Sequence, residues 1–403
     1  MHILLIHQAF VALDEPGGTR HYELARCLVE HGHRVTIIAS QVSYLTGKVD
    51  ATSSPSGELT GVERRLTILR AYTYKALHRS FIHRLFSFFS FMASSFLMGW
   101  RVKEVDLVWG TSPPIFQGVT AWLLARLRNV PFLFEVRDLW PAFAVQVGVL
   151  QNQLLIRASE WLERFLYRHA DRIIVNSPGF IAHVQARGAR RVELVPNGAD
   201  VQMFDVYSNG VAFRQMHGLE GKFVALYAGA HGLSNDLGVI LEAARRLSSR
   251  PEISIVLLGD GKDKPSLIER AAQMKLTNVH FIPPIPKSQM GEALAAADAC
   301  IAILKPVPMY ATVYPNKVFD YMAAGRPVIL AIDGVIREVV EEAGAGIYVP
   351  PGDAASLAEA ILSLAEDRQL GLEMGRRGRQ HVEVNFDRLA LAGKLASIVE
   401  EMK

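Results

Sequence analysis

Tyr314–Leu330 reads YPNKVFDYMAAGRPVIL, a pattern of loop, helix, tight turn and buried strand. Pro315 and Asn316 suit a helix start, Lys317 to Ala324 continue it, Gly325 ends it, and Pro327 leads into the apolar run Val328–Leu330 of a parallel strand. On that helix Lys317, Asp320 and Tyr321 fall three and four residues apart and share one face. A lysine in the first turn opposes the helix dipole. Its position makes sense where an anion docks on the free N–H groups, and a nucleotide diphosphate meets that need. A surface lysine beside an aspartate in water fits the same spacing, and these residues alone leave the two level.

Outward from this stretch, 403 residues give room for two domains, each with a sizeable core. The net charge of +3 gives a nucleic-acid partner little support. Cys27 and Cys300 lie far apart in apolar segments and read as core residues, neither a disulfide nor a metal site. Met1–Phe10 lacks the basic start of a secretory signal, which predicts a cytoplasmic protein.

From the start of the chain, strand Ile3–Ile6, a loop with Pro16-Gly17-Gly18, helix Thr19–His31 and strand Val35–Ala39 make a βαβ unit. Ligands of such sheets bind beyond the strands' carboxyl ends, which singles out Gly17, Gly18, Arg20 and His21; an ordinary flexible loop is the plainer reading. Strands at Asp106–Trp109 and Pro131–Val136 follow, and the second runs into Arg137-Asp138. Asp138 is a candidate base or orienting group, or equally a helix cap, and Glu135 a partner for an arginine. After strand Arg172–Val175 the turn Pro196-Asn197-Gly198 sets a boundary near Pro196–Tyr207. The alternation then restarts at Phe223–Tyr227 with the loop Gly229-Ala-His231-Gly232. Strands follow at Ile253–Leu258, Val279–Phe281 and Cys300–Leu304, with Gly259-Asp-Gly261 and a proline-rich loop containing Pro284 between them. Gly259–Gly261 lacks the third glycine of a dinucleotide fingerprint and reads as a turn near a phosphate.

Ala76–Trp100 combines His78, Arg79, His83 and Arg84 with a dense apolar run that is too short, at about 16 residues from Leu85, for the ~20 needed to span a bilayer. A helix lying in the membrane interface and a helix buried against the sheet both fit.

Together these motifs resemble the retaining glycosyltransferases of family 4. The matching stretches are the glycine loop with Gly32 and Val35, Asp171–Ser177, Val195–Asp200 before Phe204, Leu257–Gly261, Ala296–Asp298, Tyr314–Leu330 and Gly346–Gly352. His7–Phe10, Glu15–His21, Glu135–Pro141 and Lys305…Tyr310…Lys317 are similar to the bacterial branch that builds O-antigen, capsule and exopolysaccharide, including N-acetylfucosamine transferases. The resemblance implies the GT-B architecture, an α/β fold of two Rossmann-like doubly wound domains facing a central cleft. Residues 1–199 would form the acceptor-side domain and 200–385 the nucleotide-sugar domain, with a tail at about 386–403 packing back on the first.

By the same resemblance, Asp320 matches the second of the family's two spaced carboxylates and holds the ribose, while Thr312 replaces the first. Lys305 and Lys317 carry the diphosphate, helped by Gly229, His231, Gly261, Pro284, Pro315 and Asn316, and Glu338 lies near the donor sugar. Asp138 and His21 become candidates beside the acceptor, with Arg137 where the family has histidine. The implied reaction moves a sugar, an N-acetylated deoxyhexose or hexosamine, from a UDP-sugar to a polyprenyl-diphosphate-linked or glycan acceptor at the inner membrane surface. It retains configuration and needs neither cofactor nor metal, since two lysines and a helix start stabilise the leaving group. A UDP-sugar epimerase of the same fold and a non-catalytic nucleotide-sugar-binding partner are the alternatives.

Overall fold

The computed structural model describes residues 1–43, 47, 49, 65–76 and 81–403, with Phe81 and Ile82 described as backbone only. Of the expected membrane-facing segment, His78 and Arg79 lie outside the described residues.

The chain divides into two compact units. Met1–Ala12, Gly18–Pro196 and Leu389–Lys403 form the first; Leu13–Gly17 and Asn197–Arg388 form the second. The first holds seven strands: β1 (His2–Ile6), β2 (Arg34–Ser40), β3 (Leu66–Ala71), β4 (Leu107–Ser112), β5 (Phe132–Val136), β6 (Arg172–Val175) and β7 (Val192–Leu194). The second holds six: β8 (Phe223–Ala228), β9 (Ile253–Leu258), β10 (Val279–Ile282), β11 (Ala299–Ile303), β12 (Val328–Ala331) and β13 (Gly346–Tyr348).

Every strand pairing within these two sheets is parallel. The orders are β3-β2-β1-β4-β5-β6-β7 and β10-β9-β8-β11-β12-β13. Central strands such as Ile3–Ile6 and Ile255–Leu258 are continuous apolar runs because helices cover both faces, so neither set of alternate side chains meets water. In each sheet the order of strand addition reverses beside the first strand, between β1 and β4 and between β8 and β11. In open parallel sheets that point is where ligands bind.

The helices of the first unit include α1 (Arg20–Glu30), α2 (Phe81–Arg101) and α3 (Phe116–Arg128). The C-terminal helix Arg388–Glu400 sends Ala392, Leu395, Ala396 and Val399 into the core shared by β1, β2 and α1. Among the described residues, no helix is long and apolar enough to cross a membrane.

Candidate active site

The stretch that opens the sequence reading forms the helix Asn316–Ala323, entered from Pro315. Tyr321 pins it to the sheet: its hydroxyl accepts from the Ala228 N–H at 2.9 Å and donates to the Ala228 carbonyl at 3.1 Å. Tyr321 is therefore core, and the solvent-facing group of three that the spacing suggested does not form. One turn earlier, Lys317 lies over the Tyr227 ring, 4.0 Å from its centroid, and donates to the Tyr227 hydroxyl at 2.9 Å and to Asn235 Oδ1 at 3.5 Å. No carboxylate pairs with it among the described residues. Taking that ammonium out of water lowers its pKa to about 7, and burial is the sole cause.

The loop after β8 closes around this amine. Gly229 has φ +150°, and a Cβ there would sit 2.9 Å from Lys317 Nζ. Gly259 has φ +147°, and a Cβ there would reach to 1.9 Å of the Gly229 carbonyl oxygen, while one on Gly261 would strike the His231 backbone. These glycines are required because two loops touch backbone to backbone. His231, fully buried between them, has no hydrogen-bond partner on either ring nitrogen. Burial first, then Lys264, lowers its pKa to about 4, which keeps it neutral. Lys264 in turn clamps the loops by donating to the carbonyls of Gly259 at 2.7 Å and Ile282 at 3.3 Å.

Lys305 follows β11. Its backbone N–H donates to the Ser234 carbonyl at 3.0 Å, and Tyr310 Oη donates to Ser234 Oγ at 2.6 Å. The segment Ser234–Asn235 thus joins the Lys305 loop to Lys317 at the β8/β11 switch point. Asp320 is engaged elsewhere: Lys287 Nζ lies 2.5 Å from its Oδ2, and Asn316 donates to the same oxygen at 3.3 Å. Asn316 is itself held by Arg388, at 2.7 Å. Lys287→Met leaves the largely buried carboxylate without its cation and should destabilise the protein by about 3 kcal/mol, read from urea unfolding. Glu338 is exposed in the first turn of Val335–Ala343, on the Tyr314 side, where it adds to burial in raising the tyrosine pKa. Pro284 lies in the loop after β10.

In the first unit, Glu135 is the last but one residue of β5, fully buried, and binds two groups. Arg20 Nε lies 3.0 Å from Oε1 and His21 Nε2 lies 2.7 Å from Oε2. Arg20 also donates to the carbonyls of Val195 at 2.7 Å and Pro196 at 2.8 Å. Burial alone would raise the Glu135 carboxyl, but the hydrogen bond from His21 and the Arg20 guanidinium outweigh it and hold the group well below the usual carboxylate range. Burial takes His21 down to about 4 against the pull of Glu135, so the imidazole is neutral. Its Nε2 proton then faces the carboxylate, and Nδ1 is left without a partner. His7, after β1, packs on His21 with ring centroids 4.2 Å apart and shares a hydrogen bond of 3.1 Å with Thr111.

Asp138 comes three residues after Glu135. Burial outweighs the neighbouring Arg137 guanidinium and lifts its pKa to about 7. Gly17 has φ +142°, and nothing lies within 4 Å of where a Gly18 Cβ would sit. Among the described residues, no group of three or more His, Cys, Asp or Glu side chains is placed to hold a metal ion.

Residues 17–198 match the family model described as a glycosyl transferase 4-like domain, and residues 222–367 match the glycosyl transferases group 1 model. The chain belongs to the family 4 glycosyltransferases. It is 25% identical over 321 residues to WcaI of Escherichia coli (strain K12), named as a colanic acid biosynthesis glycosyl transferase, covering 77% of this chain and 78% of WcaI. It is 27% identical over 231 residues to a D-inositol 3-phosphate glycosyltransferase of Nocardia farcinica, covering 54% of this chain and 50% of that one.

Among solved structures, sucrose-phosphate synthase from Thermosynechococcus elongatus superposes with a TM-score of 0.79 at 20% identity, over 100% of this chain and 98% of that one. Anabaena HepE in complex with UDP-glucose gives 0.74 at 18% identity, over the whole of both chains. WaaG, a glycosyltransferase of lipopolysaccharide biosynthesis, gives 0.69 at 16% identity, over 99% of each. These likenesses assign the fold, two Rossmann-like domains of GT-B type.

Several residues that shape the two candidate sites do not stand out in the sequence. Tyr227 is the last but one residue of an apolar strand and looks like core until Lys317 is set on it. Lys264 opens the helix Lys264–Gln273 and Lys287 the 3-10 turn Lys287–Gln289, with no motif spacing to Gly259 or Asp320. His7 carried a signal, since it directly follows the first strand, at a position where ligands of doubly wound sheets bind.

Proposed function

We propose that this glycosyltransferase moves a sugar from a nucleotide diphosphate donor to a lipid-linked or glycan acceptor with retention of configuration, in the synthesis of a bacterial surface polysaccharide. The observation that carries the reading is Lys317, an ammonium taken out of water with no carboxylate beside it. Such a cation is costly in the empty protein and is matched by an anionic ligand. The donor pyrophosphate is that anion in our reading, bound at the start of helix Asn316–Ala323 with Lys305 as the second cation.

As the sugar–phosphate bond breaks, negative charge grows on the leaving phosphate and the fixed lysines stabilise it. The reading therefore needs no metal. UDP is the nucleotide we favour, because HepE was captured with UDP-glucose. An N-acetylated deoxyhexose or hexosamine remains the sugar we infer from the resemblance to the O-antigen and capsule branch. Asp138 is assigned to the acceptor hydroxyl, and His21 is assigned to positioning the acceptor side through the Glu135 network.

A thermal-shift panel of UDP-, GDP- and dTDP-sugars tests the donor. The cognate ligand raises the melting temperature by mass action, and UDP-sugars should give the largest rise. A panel in which no nucleotide sugar moves the transition counts against the reading. Product analysis without acceptor distinguishes transfer from epimerisation.

A further inference from the structure

Helix Asn316–Ala323 is held by two segments that lie far apart in the sequence. Asn197 donates to the Tyr314 carbonyl at 2.7 Å, just before the helix starts. The Phe386 ring packs on Tyr314 and Phe319, with centroids 6.1 and 4.8 Å away. Arg388, only 1% exposed, sends a single nitrogen, Nη2, to the Gly198 carbonyl and to Asn316 Oδ1, the second at 2.7 Å. The other end of the helix is tied to the same region. Arg379 donates to the carbonyls of Ala323 at 2.5 Å, Val201 at 2.9 Å and Phe204 at 3.1 Å.

The two segments are also joined to each other. Ala199 donates its N–H to the Phe386 carbonyl at 3.1 Å and accepts from the Arg388 N–H at 2.9 Å, a parallel bridge across Asp387. Pro196–Asn197 and Arg388–Leu389 are two of the places where the chain passes from one compact unit to the other. Hydrogen bonding therefore runs without a break from these crossings to the start of the helix. An arginine can only donate, and this settles Asn316: its oxygen faces Arg388, so its amide nitrogen faces Asp320, 3.3 Å from Oδ2. Without the guanidinium the carboxamide is free to turn over and set oxygen against carboxylate. Arg388 thus fixes the orientation of the first helical residue, one position before Lys317.

We infer that Arg388 is a positioning residue of the donor site, acting through Asn316, and that donor binding at this helix stiffens the paired chain crossings at Ala199 and Arg388. The inference rests on the reading that a nucleotide diphosphate binds at the start of helix Asn316–Ala323.

Calorimetric titration of UDP into the full chain tests it. Arg388→Met should weaken UDP binding by about tenfold, the size of a hydrogen bond from a charged group. Arg388→Lys should recover most of that loss, because both contacts use one nitrogen and an ammonium can stand in its place. Asn316→Leu should weaken UDP as well, and Asn316→Leu/Arg388→Met no further, since the arginine acts through the asparagine. An arginine that only supports the fold gives losses that multiply. Hydrogen exchange supplies a second readout: saturating UDP should slow the Ala199 and Arg388 amides by about fivefold or more in wild type and leave them unchanged in Asn316→Leu. Should Arg388→Met not fold, Asn316→Leu decides through exchange alone.

Losses that multiply, an Arg388→Met protein that binds UDP as wild type does, or bound UDP that leaves both amides at their free rates, overturns this inference while the donor reading stands. UDP that fails to bind wild type overturns the donor reading and this inference with it.

Discussion

Lys317→Ala should lower turnover by on the order of 10²-fold or more, assayed as nucleotide release with donor and acceptor present. In our reading the cation sits where leaving-group charge develops, and the substitution removes it without disturbing a carboxylate, because none is paired with it among the described residues. Stability should move the other way. The folded pKa of about 7 lies below the ordinary lysine value of 10.5, so between those two values the unfolded chain binds more protons than the native one. Stability of the empty protein therefore rises with pH through that window, and below pH 7 the full cost of the buried charge is present. Lys317→Met, which keeps the volume, should abolish this slope in pH-dependent unfolding while losing catalysis. A variant that unfolds with the wild-type slope would show that the ammonium is hydrated after all.

Asp138 gives the second large effect, with the opposite sign of shift. Its carboxyl is raised from the ordinary 3.8 to about 7, principally by burial. A base acts only when deprotonated, so kcat/KM should fall about tenfold per pH unit below 7 and level off above it. Asp138→Asn should lose 10²- to 10⁴-fold, roughly the range of general base catalysis, and the acid limb should vanish with it. The same shift makes the native state the better proton binder between pH 3.8 and 7, so this group's contribution to stability declines as pH rises through that interval. A fully active Asp138→Asn enzyme would instead assign the acceptor's proton to the departing phosphate.

Much of the architecture could be read directly from the chain, for a definite reason. Parallel strands covered on both faces are predominantly apolar runs, so the bounds of Ile253–Leu258 and Arg172–Val175 can be read from the sequence, and those of most other strands to within a few residues. Two edge strands were missed. β3 is only half-buried and β13 is three residues long, so neither carries a continuous apolar signal.

The sites divide in the same way. Lys317, His231, Asp138 and His21 could be singled out because each sits just past a strand or at a helix start, where fold topology puts ligands. Arg20 stands out for the same reason, whereas Tyr227, Lys264 and Lys287 do not, because they act through tertiary contacts that no spacing encodes. Asp320 illustrates the cost: helical periodicity set it beside Lys317 on an open face, whereas packing gave its carboxylate to Lys287.

The account depends most on a pyrophosphate settling against Lys317, and calorimetric titration of a UDP-sugar at pH 8 tests this directly. A nucleotide sugar has no phosphate titrating near neutrality, so heats compared in two buffers of different ionisation enthalpy report protons taken up by the protein. The account predicts uptake approaching one proton per donor bound, as the neutral Lys317 amine regains its charge beside the anion, and no such uptake in Lys317→Met. Donor that binds without proton uptake, or that binds Lys317→Met as tightly as wild type, would contradict it.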